Sequence, residues 1–235
     1  MNARTDRPEI LNPSQVPMSI DVISDVVCPW CFIGKRQLEQ AVEQWCRAHP
    51  EAPAPIINWL PFQLNPDMPL EGVSREDYLR RKFGHADGGK IYANVQRAAR
   101  EVGLELNIQG IQRQPNTLRP HALLKQAGEQ GIQEALAEAL FAAYFIDGRD
   151  LTAPDELRSI AAAAGLDADR IARALDDALE HEAIAESDLQ ARENGISGVP
   201  FFILDRRVAV NGAAGAEHLL HSMEKAQQKR ELKVD

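Results

Sequence analysis

Two thiols stand three residues apart in Cys28-Pro29-Trp30-Cys31, a spacing that suits a disulfide made and broken as part of a reaction. The apolar run from Met18 to Val27 precedes the pair and a helical pattern follows it. Cys28 is therefore expected at a strand-to-helix junction, with Cys31 one turn along the helix. A helix N-terminus leaves backbone N–H groups unpaired and carries partial positive charge, and both favour a thiolate over a thiol at Cys28. Pro29 fits the first helical turn because its missing N–H would have no partner there. Such a sulfur attacks disulfides and also leaves readily, while Cys31, less exposed on the helix, can attack a mixed disulfide and release the substrate. Trp30 offers a partly exposed apolar contact for substrate, and Pro29 and Trp30 together tune the pair through helix geometry and access. Asp25, three residues before Cys28, either moves protons to and from Cys31 or simply closes the strand as a turn carboxylate.

Other uses of the pair fit the sequence less well. A closed zinc site needs four ligands at suitable spacing, but the third cysteine, Cys46, lies fifteen residues beyond Cys31 and the histidine pair His218 and His221 lies near the C-terminus. No metal is expected. A structural disulfide closing so small a loop would remove little entropy from the unfolded chain. On a helix rising about 1.5 Å per residue, Cys46 stands more than about 20 Å from Cys31 and cannot bridge to it, so it reads as a packing residue.

Composition narrows the function classes. The chain has 235 residues, 44% of them hydrophobic, and a formal net charge of -9. That is enough to bury a sizeable core, and the charge disfavours nucleic acid and anionic membrane surfaces, which need clustered Lys and Arg. No window approaches the apolar length of a membrane span, and Met1 to Pro17 lacks the apolar core of a secretory signal. The expectation is a cytoplasmic protein, a monomer or weak homodimer, with no cofactor of its own.

The elements that must position the pair follow in order. Residues 1–17, rich in proline and polar side chains, read as a flexible lead-in. Ile20, Val22, Ile23, Val26 and Val27 make a buried strand interrupted by Asp21 and Asp25. The helix from Pro29 runs to about Arg47 and turns Gly34, Leu38, Ala41, Val42 and Trp45 toward a sheet. Ile56 to Leu60 is a second strand, parallel to the first by the βαβ rule, ending in a proline-rich loop with Phe62 and Asn65. Ser74 with Asp77 is a capping box for a helix through Phe83, and Lys90 to Val102 is the next helix. Gln109 to Pro115 reads as a polar loop. Thr117 caps a helix to Ala127, with Asn116, Thr117 and His121 as an N-cap and a half-buried histidine rather than a pocket. Amphipathic helices follow around Ile132 to Ala143, from Thr152 and Asp155, from Asp167, and from Glu182 to Glu193. Past Gly195 the period becomes that of strands: Gly198 to Leu204 and Val208 to Val210 form a hairpin about Asp205 to Arg207, and Ala216 to Lys229 closes the chain. Read from the residues alone, Val199–Pro200 is an ordinary trans bond.

This order of elements resembles a thioredoxin fold interrupted by an all-helical insertion, the arrangement of the DsbA family. Residues 18–73 and 182–230 would form the α/β thioredoxin-like domain and residues 74–181 a helical insertion with its own small core. Ser24 to Cys31, Pro61-Phe62-Gln63-Leu64-Asn65-Pro66, Asn116-Thr117 and Gly198-Val199-Pro200-Phe201-Phe202 are similar to the FrnE-like branch of that family. The resemblance implies thiol-disulfide exchange at Cys28 and Cys31 with protein or small-molecule thiols. It also implies a cis Val199–Pro200 bond beside Cys28, with the Val199 backbone free to pair with an extended substrate. The related 2-hydroxychromene-2-carboxylate isomerases and kappa-class transferases use glutathione and typically carry serine at the first cysteine position. Cys28 and Cys31 depart from that pattern and favour dithiol chemistry, although glutathione could still serve as redox partner or substrate near Phe62, Asn65 and Val199.

Overall fold

A computed structural model describes residues 16–84 and 89–232; of the lead-in expected over residues 1–17, residues 1–15 lie outside them. In chain order the elements are β1 (Ser19–Ser24), α1 (Pro29–Ala48), β2 (Ile56–Pro61), β3 (Val73–Ser74), α2 (Arg75–Phe83), α3 (Gly89–Glu101), β4 (Arg113–Gln114), α4 (Leu118–Gln130) and α5 (Gln133–Phe145). They continue with α6 (Pro154–Ala163), α7 (Ala168–Asp176), α8 (Ala178–Glu193), β5 (Phe201–Leu204), β6 (Val208–Asn211) and α9 (Ala216–Glu231).

One four-stranded sheet has the order β2-β1-β5-β6. Strand β1 is central because it is apolar on both faces: Ile20 and Val22 join the main core, while Ile23 packs on the other side with Phe62 and Ile196. It pairs in parallel with β2, Ser24 opposite Pro61, and antiparallel with β5, Ile23 opposite Phe201. The register brings the C-terminal end of β1, which leads into Cys28, beside the N-terminal end of β5, which follows Pro200. The β5-β6 hairpin turns on Asp205 to Arg207, between the paired Leu204 and Val208, with Asp205 and Arg206 both left-handed at φ 52 and 54. Asp205 accepts from Arg207 Nε at 2.9 Å and from Arg230 Nε at 2.9 Å, while Arg230 Nη1 also donates to the Val16 carbonyl at 2.6 Å. Hairpin, closing helix and chain entry are thus tied at one point. The open edge of β2 is covered by Gln133 of α5, whose amide accepts from Trp59 N–H at 2.8 Å and donates to its carbonyl at 3.0 Å, which blunts a strand edge that could otherwise pair with another chain.

Four expectations need correction. The helical segment does not have a core of its own: one continuous cluster runs from Ile20 and Phe32 through Leu123, Leu136 and Phe141 to Ile171. The link is aromatic, with Phe32 of α1 stacked on Phe141 of α5 at 5.2 Å between centroids. The stretch Gln109 to Pro115, expected as a loop, contains strand β4, which pairs antiparallel with β3 just after a 3-10 turn at Ile108–Gly110. Helix α8 begins at Ala178 rather than Glu182, because the Asp177 carboxylate accepts from Leu179 N–H at 2.9 Å and caps it there. Helix α6 starts at Pro154 with Ala153, not Thr152, at its N-cap.

Candidate active site

Cys28 is the N-cap residue of α1, in extended conformation at φ -93 and ψ 111, and Pro29 takes the first helical position. Its carbonyl accepts from Cys31 N–H at 3.0 Å, and its own N–H donates to Asp25 O at 2.9 Å. The chain therefore makes a tight turn at the strand end and starts the helix with Cys28 facing the next loop. Both cysteines are free thiols, and their surroundings differ. Both are buried in the main core, Cys28 at 5% and Cys31 at 1% exposed, but the Cys28 thiol donates to the Val199 carbonyl at 3.5 Å while Cys31 lies one turn further into the helix. Burial, then the adjacent Cys28 side chain, pushes the Cys31 thiol well above the usual cysteine range. Trp30, at 37% exposed, is the residue of the motif that faces solvent.

Pro200 follows Val199 through a cis bond, where the residues alone had read as trans. It is buried and packs on α1 at Gly34: a Cβ at that position would meet Pro200 Cγ at 3.0 Å and Phe202 Cζ at 3.1 Å. Gly34 thus has no side chain because the loop carrying Val199 and Pro200 sits against the helix just past Cys31.

Asp25 lies behind the pair. It is 0% exposed; its Oδ2 accepts from Leu64 N–H at 2.7 Å and its Oδ1 from Val27 N–H at 3.4 Å. Its charge is one of the contributions that raise Cys31. His121 of α4 brings Nε2 to 3.6 Å from Asp25 Oδ1, and that nitrogen, buried, has no hydrogen-bond partner.

A family model described as the DSBA-like thioredoxin domain matches residues 19–224. The chain belongs to this DSBA-like family. Among solved structures it is similar to a probable DsbA oxidoreductase of Streptomyces coelicolor, 29% identical, covering 90% of each chain with a TM-score of 0.78. It is also similar in fold to the cytosolic disulfide reductase DsbM of Pseudomonas aeruginosa solved with GSH, 18% identical, covering 92% of this chain and 98% of that one at a TM-score of 0.61. Among curated proteins it is similar to the uncharacterized protein YwbO of Bacillus subtilis (strain 168), 26% identical over 217 residues that cover 90% of this chain and 98% of that protein.

The structure of this DSBA-like chain brings Cys28, Pro29, Trp30, Cys31, Asp25, Val199 and Pro200 to one end of the sheet. It does not place Phe62 there as a contact surface. Phe62 is 2% exposed in the second apolar cluster, with the Arg192 guanidinium 4.1 Å above its ring. The reason is α8: Asp188 accepts from Gln63 N–H at 2.8 Å and Arg192 Nη2 donates to Gln63 O at 2.5 Å, which pulls the loop inward. Asn65 is half-buried in a turn, its carbonyl accepting from Met68 N–H at 3.1 Å. Asn116 is a structural clamp that donates to Met68 O at 2.6 Å and accepts from Leu118 N–H at 2.8 Å. Sequence reading missed His121, expected half-buried and found 3% exposed against Asp25; its place in Asn116-Thr117-x-x-x-His gave a local helix position and no sign of the distant carboxylate.

Proposed function

We propose that the chain is a thiol-disulfide oxidoreductase whose Cys28-Cys31 pair exchanges electrons with thiol or disulfide substrates. The observation that carries this reading is the inequality of the two sulfurs: one at a helix N-cap bonded to the Val199 carbonyl, the other inside the first turn and pushed well above the usual cysteine range by burial and by its neighbour. In the reducing direction the Cys28 sulfur attacks a substrate disulfide, the S–S bond breaks, and one substrate sulfur leaves as thiolate and takes a proton. Cys31 then gives up its proton and attacks Cys28, and the second substrate thiol departs. The substrate disulfide has gained two electrons and the enzyme pair has lost two. The opposite direction runs the same steps backwards.

Each residue has a part in those steps. While Cys28 is a free sulfur its hydrogen bond and charge help keep the Cys31 proton in place; once Cys28 is bound in a mixed disulfide those two contributions vanish, and Cys31 ionises more easily when its attack is due. Asp25, with His121 beside it, is the buried group positioned to take that proton. Val199 offers its carbonyl to an extended substrate, and Trp30 supplies the exposed apolar contact. Glutathione is one candidate redox partner.

The test is the equilibrium of the pair against a glutathione buffer, read by alkylation and mass. A two-electron couple confined to Cys28 and Cys31, with exchange abolished by Cys28→Ser, is expected. Finding no such couple, or dithiol activity that survives Cys28→Ser, would overturn the assignment.

A further inference from the structure

Arg75 opens α2, yet it is only 7% exposed. Buried guanidinium groups normally face a carboxylate, since burying an unpaired charge is costly. Here the partners are neutral: Nη1 donates to Gln114 Oε1 and reaches Tyr144 Oη at 3.5 Å, and Nη2 donates to Tyr92 Oη. Nε, buried, has no partner at all, and among the described residues no carboxylate pairs with Arg75. Tyr78 and Tyr92 lie against the cation with ring centroids 5.4 and 5.5 Å from Cζ.

This cation borders a cavity of about 570 Å³, whose walls include Tyr92 and Gln96 of α3 and the apolar side chains of Ile108 and Ile111. Among the described residues the one carboxylate on the wall, Glu76, is already engaged by Arg80 at 2.6 Å on the exposed side of α2. A wall that combines an uncompensated guanidinium, neutral donors and aliphatic surface suits a small organic anion: the carboxylate meets the cation and its methylenes meet the isoleucines. The cavity shares a wall, α3, with the helix that carries the cysteines, since α3 packs against α1, and Arg75 reaches Tyr144, whose neighbour Phe145 stacks on Phe32, the residue after Cys31. Burial raises the Tyr92 phenol above its ordinary range against the pull of Arg75, with a smaller contribution from the Cys28 sulfur.

We infer that the Arg75 cavity is a binding site for the carboxylate end of a low-molecular-weight thiol or disulfide whose sulfur exchanges at Cys28. The exchange half of this inference rests on the function proposed above; the anion-binding half does not. The chemistry balances with no further reagent: Cys28 attacks one sulfur of the small disulfide, the other half leaves as a thiol after taking a proton, and Cys31 displaces the second half. Two electrons pass from the protein pair to the ligand. A local site is needed because a chain of net charge -9 repels anions elsewhere on its surface.

The experiment uses the full chain and two readouts. In the first, the reduced protein is oxidised by 3,3′-dithiodipropionate, a dicarboxylate, and by bis(2-hydroxyethyl) disulfide, a neutral analogue of similar size, with the rate ratio normalised to that for free dithiothreitol. The expected ratio favours the anion by about tenfold or more, the range of one hydrogen bond to a charged group, and falls toward the reference in Arg75→Gln. In the second, binding of 3,3′-thiodipropionate, a dicarboxylate thioether with no S–S bond to exchange, is followed by ligand-observed NMR. Gln96→Glu sits one helical turn from Tyr92 and places a competing carboxylate in the cavity without removing packing, so it keeps the test decisive where Arg75→Gln fails to fold. Both variants are expected to lose binding. A normalised ratio of one in the unaltered protein, or thioether binding that both variants retain, overturns the site. Binding that depends on Arg75 in a protein without exchange upholds the site and sinks the proposed function instead; exchange at reference ratios without thioether binding does the reverse.

Discussion

Gly34→Ala measures how tightly the helix bearing the cysteines is packed on the loop bearing Val199 and Pro200. Gly34 lies inside α1, so alanine should raise helix propensity by about 1 kcal/mol. The new methyl, however, would lie 3.0 Å from Pro200 Cγ and 3.1 Å from Phe202 Cζ, where ordinary contact begins at 3.4 Å. Helix and loop must separate by roughly 0.4 Å, and on the repulsive wall of the contact potential neither neighbour gives cheaply. Pro200 is a ring in a buried loop, and Phe202 is 0% exposed in the core. Overpacking of this kind costs about 1–3 kcal/mol, which exceeds the propensity gain, so a net loss of about 1 kcal/mol is expected. For a chain of this length that is a drop in Tm of about 2–4 °C. The displacement also carries the Val199 carbonyl away from its 3.5 Å contact with the Cys28 sulfur, so substrate exchange should slow as well. Urea unfolding and exchange rates are measured for Gly34→Ala, Phe202→Leu and the double variant. Shortening Phe202 makes room for the methyl, so the two changes should couple by about 0.5 kcal/mol or more. A stabilised Gly34→Ala with undiminished exchange, or strict additivity in the cycle, would refute the packing argument.

Three further outcomes follow from the same geometry. Burial and the neighbouring Cys28 raise the Cys31 thiol, so in Cys28→Ser alkylation of Cys31 by iodoacetamide should begin at lower pH than in the unaltered reduced protein yet stay above that of an exposed thiol; an unchanged profile would show that the two side chains do not interact. Asp25→Asn retains acceptor capacity for Leu64 and Val27 but cannot take up a proton as the carboxylate does, so rapid-quench trapping should show the mixed disulfide accumulating as its resolution slows more than its formation, and equal slowing of both steps would contradict a proton-accepting role. At the hairpin, burial would raise the Asp205 carboxyl, but the bonds from Arg230 and Arg207 prevail and hold it below the usual carboxylate range. Its folded pKa is therefore depressed, and its stabilisation is present above the unfolded value of about 3.9 and is lost as pH falls through the folded value. Asp205→Asn should cost stability in urea at pH 7 and progressively less below about pH 4, whereas a cost independent of pH would place the effect elsewhere.

What the sequence made legible was whatever depends on neighbours along the chain. The C-x-x-C spacing, Pro29 at the helix start, the β-branched run of β1 and the hairpin after Pro200 each follow from a few consecutive residues, and the parallel β1-β2 pairing follows from one helix between two strands. The Ser74-Asp77 box is equally local, and Asp77 N–H donates to the Ser74 hydroxyl at 3.1 Å. What stayed hidden depends on long separations in sequence. Phe32 reads as one more apolar residue on α1 until Phe141 stacks on it and merges two expected cores. Phe62 reads as a site residue until Arg192, far along the chain, covers it. Arg75 draws no reading from the sequence, because the pairing of β3 with β4 that brings Gln114 beside it joins segments about forty residues apart.

The same division explains why the reactive cysteine was easier to place than the groups that serve it. The position of Cys28 is set by the backbone of its own turn, since a helix start supplies unpaired N–H groups wherever it occurs. In the proposed mechanism resolution by Cys31 needs a proton acceptor inside the core, and the proposed one draws on three distant segments: Asp25 just after β1, the Leu64 amide after β2 and His121 on α4. His121 Nε2 and Asp25 Oδ1, at 3.6 Å, are too far apart for a direct hydrogen bond. If His121 only fills space, His121→Phe should leave the ratio of formation to resolution of the mixed disulfide intact. If it takes part in proton movement through Asp25, that ratio should shift in the same direction as in Asp25→Asn, and the double variant should be no slower than Asp25→Asn alone.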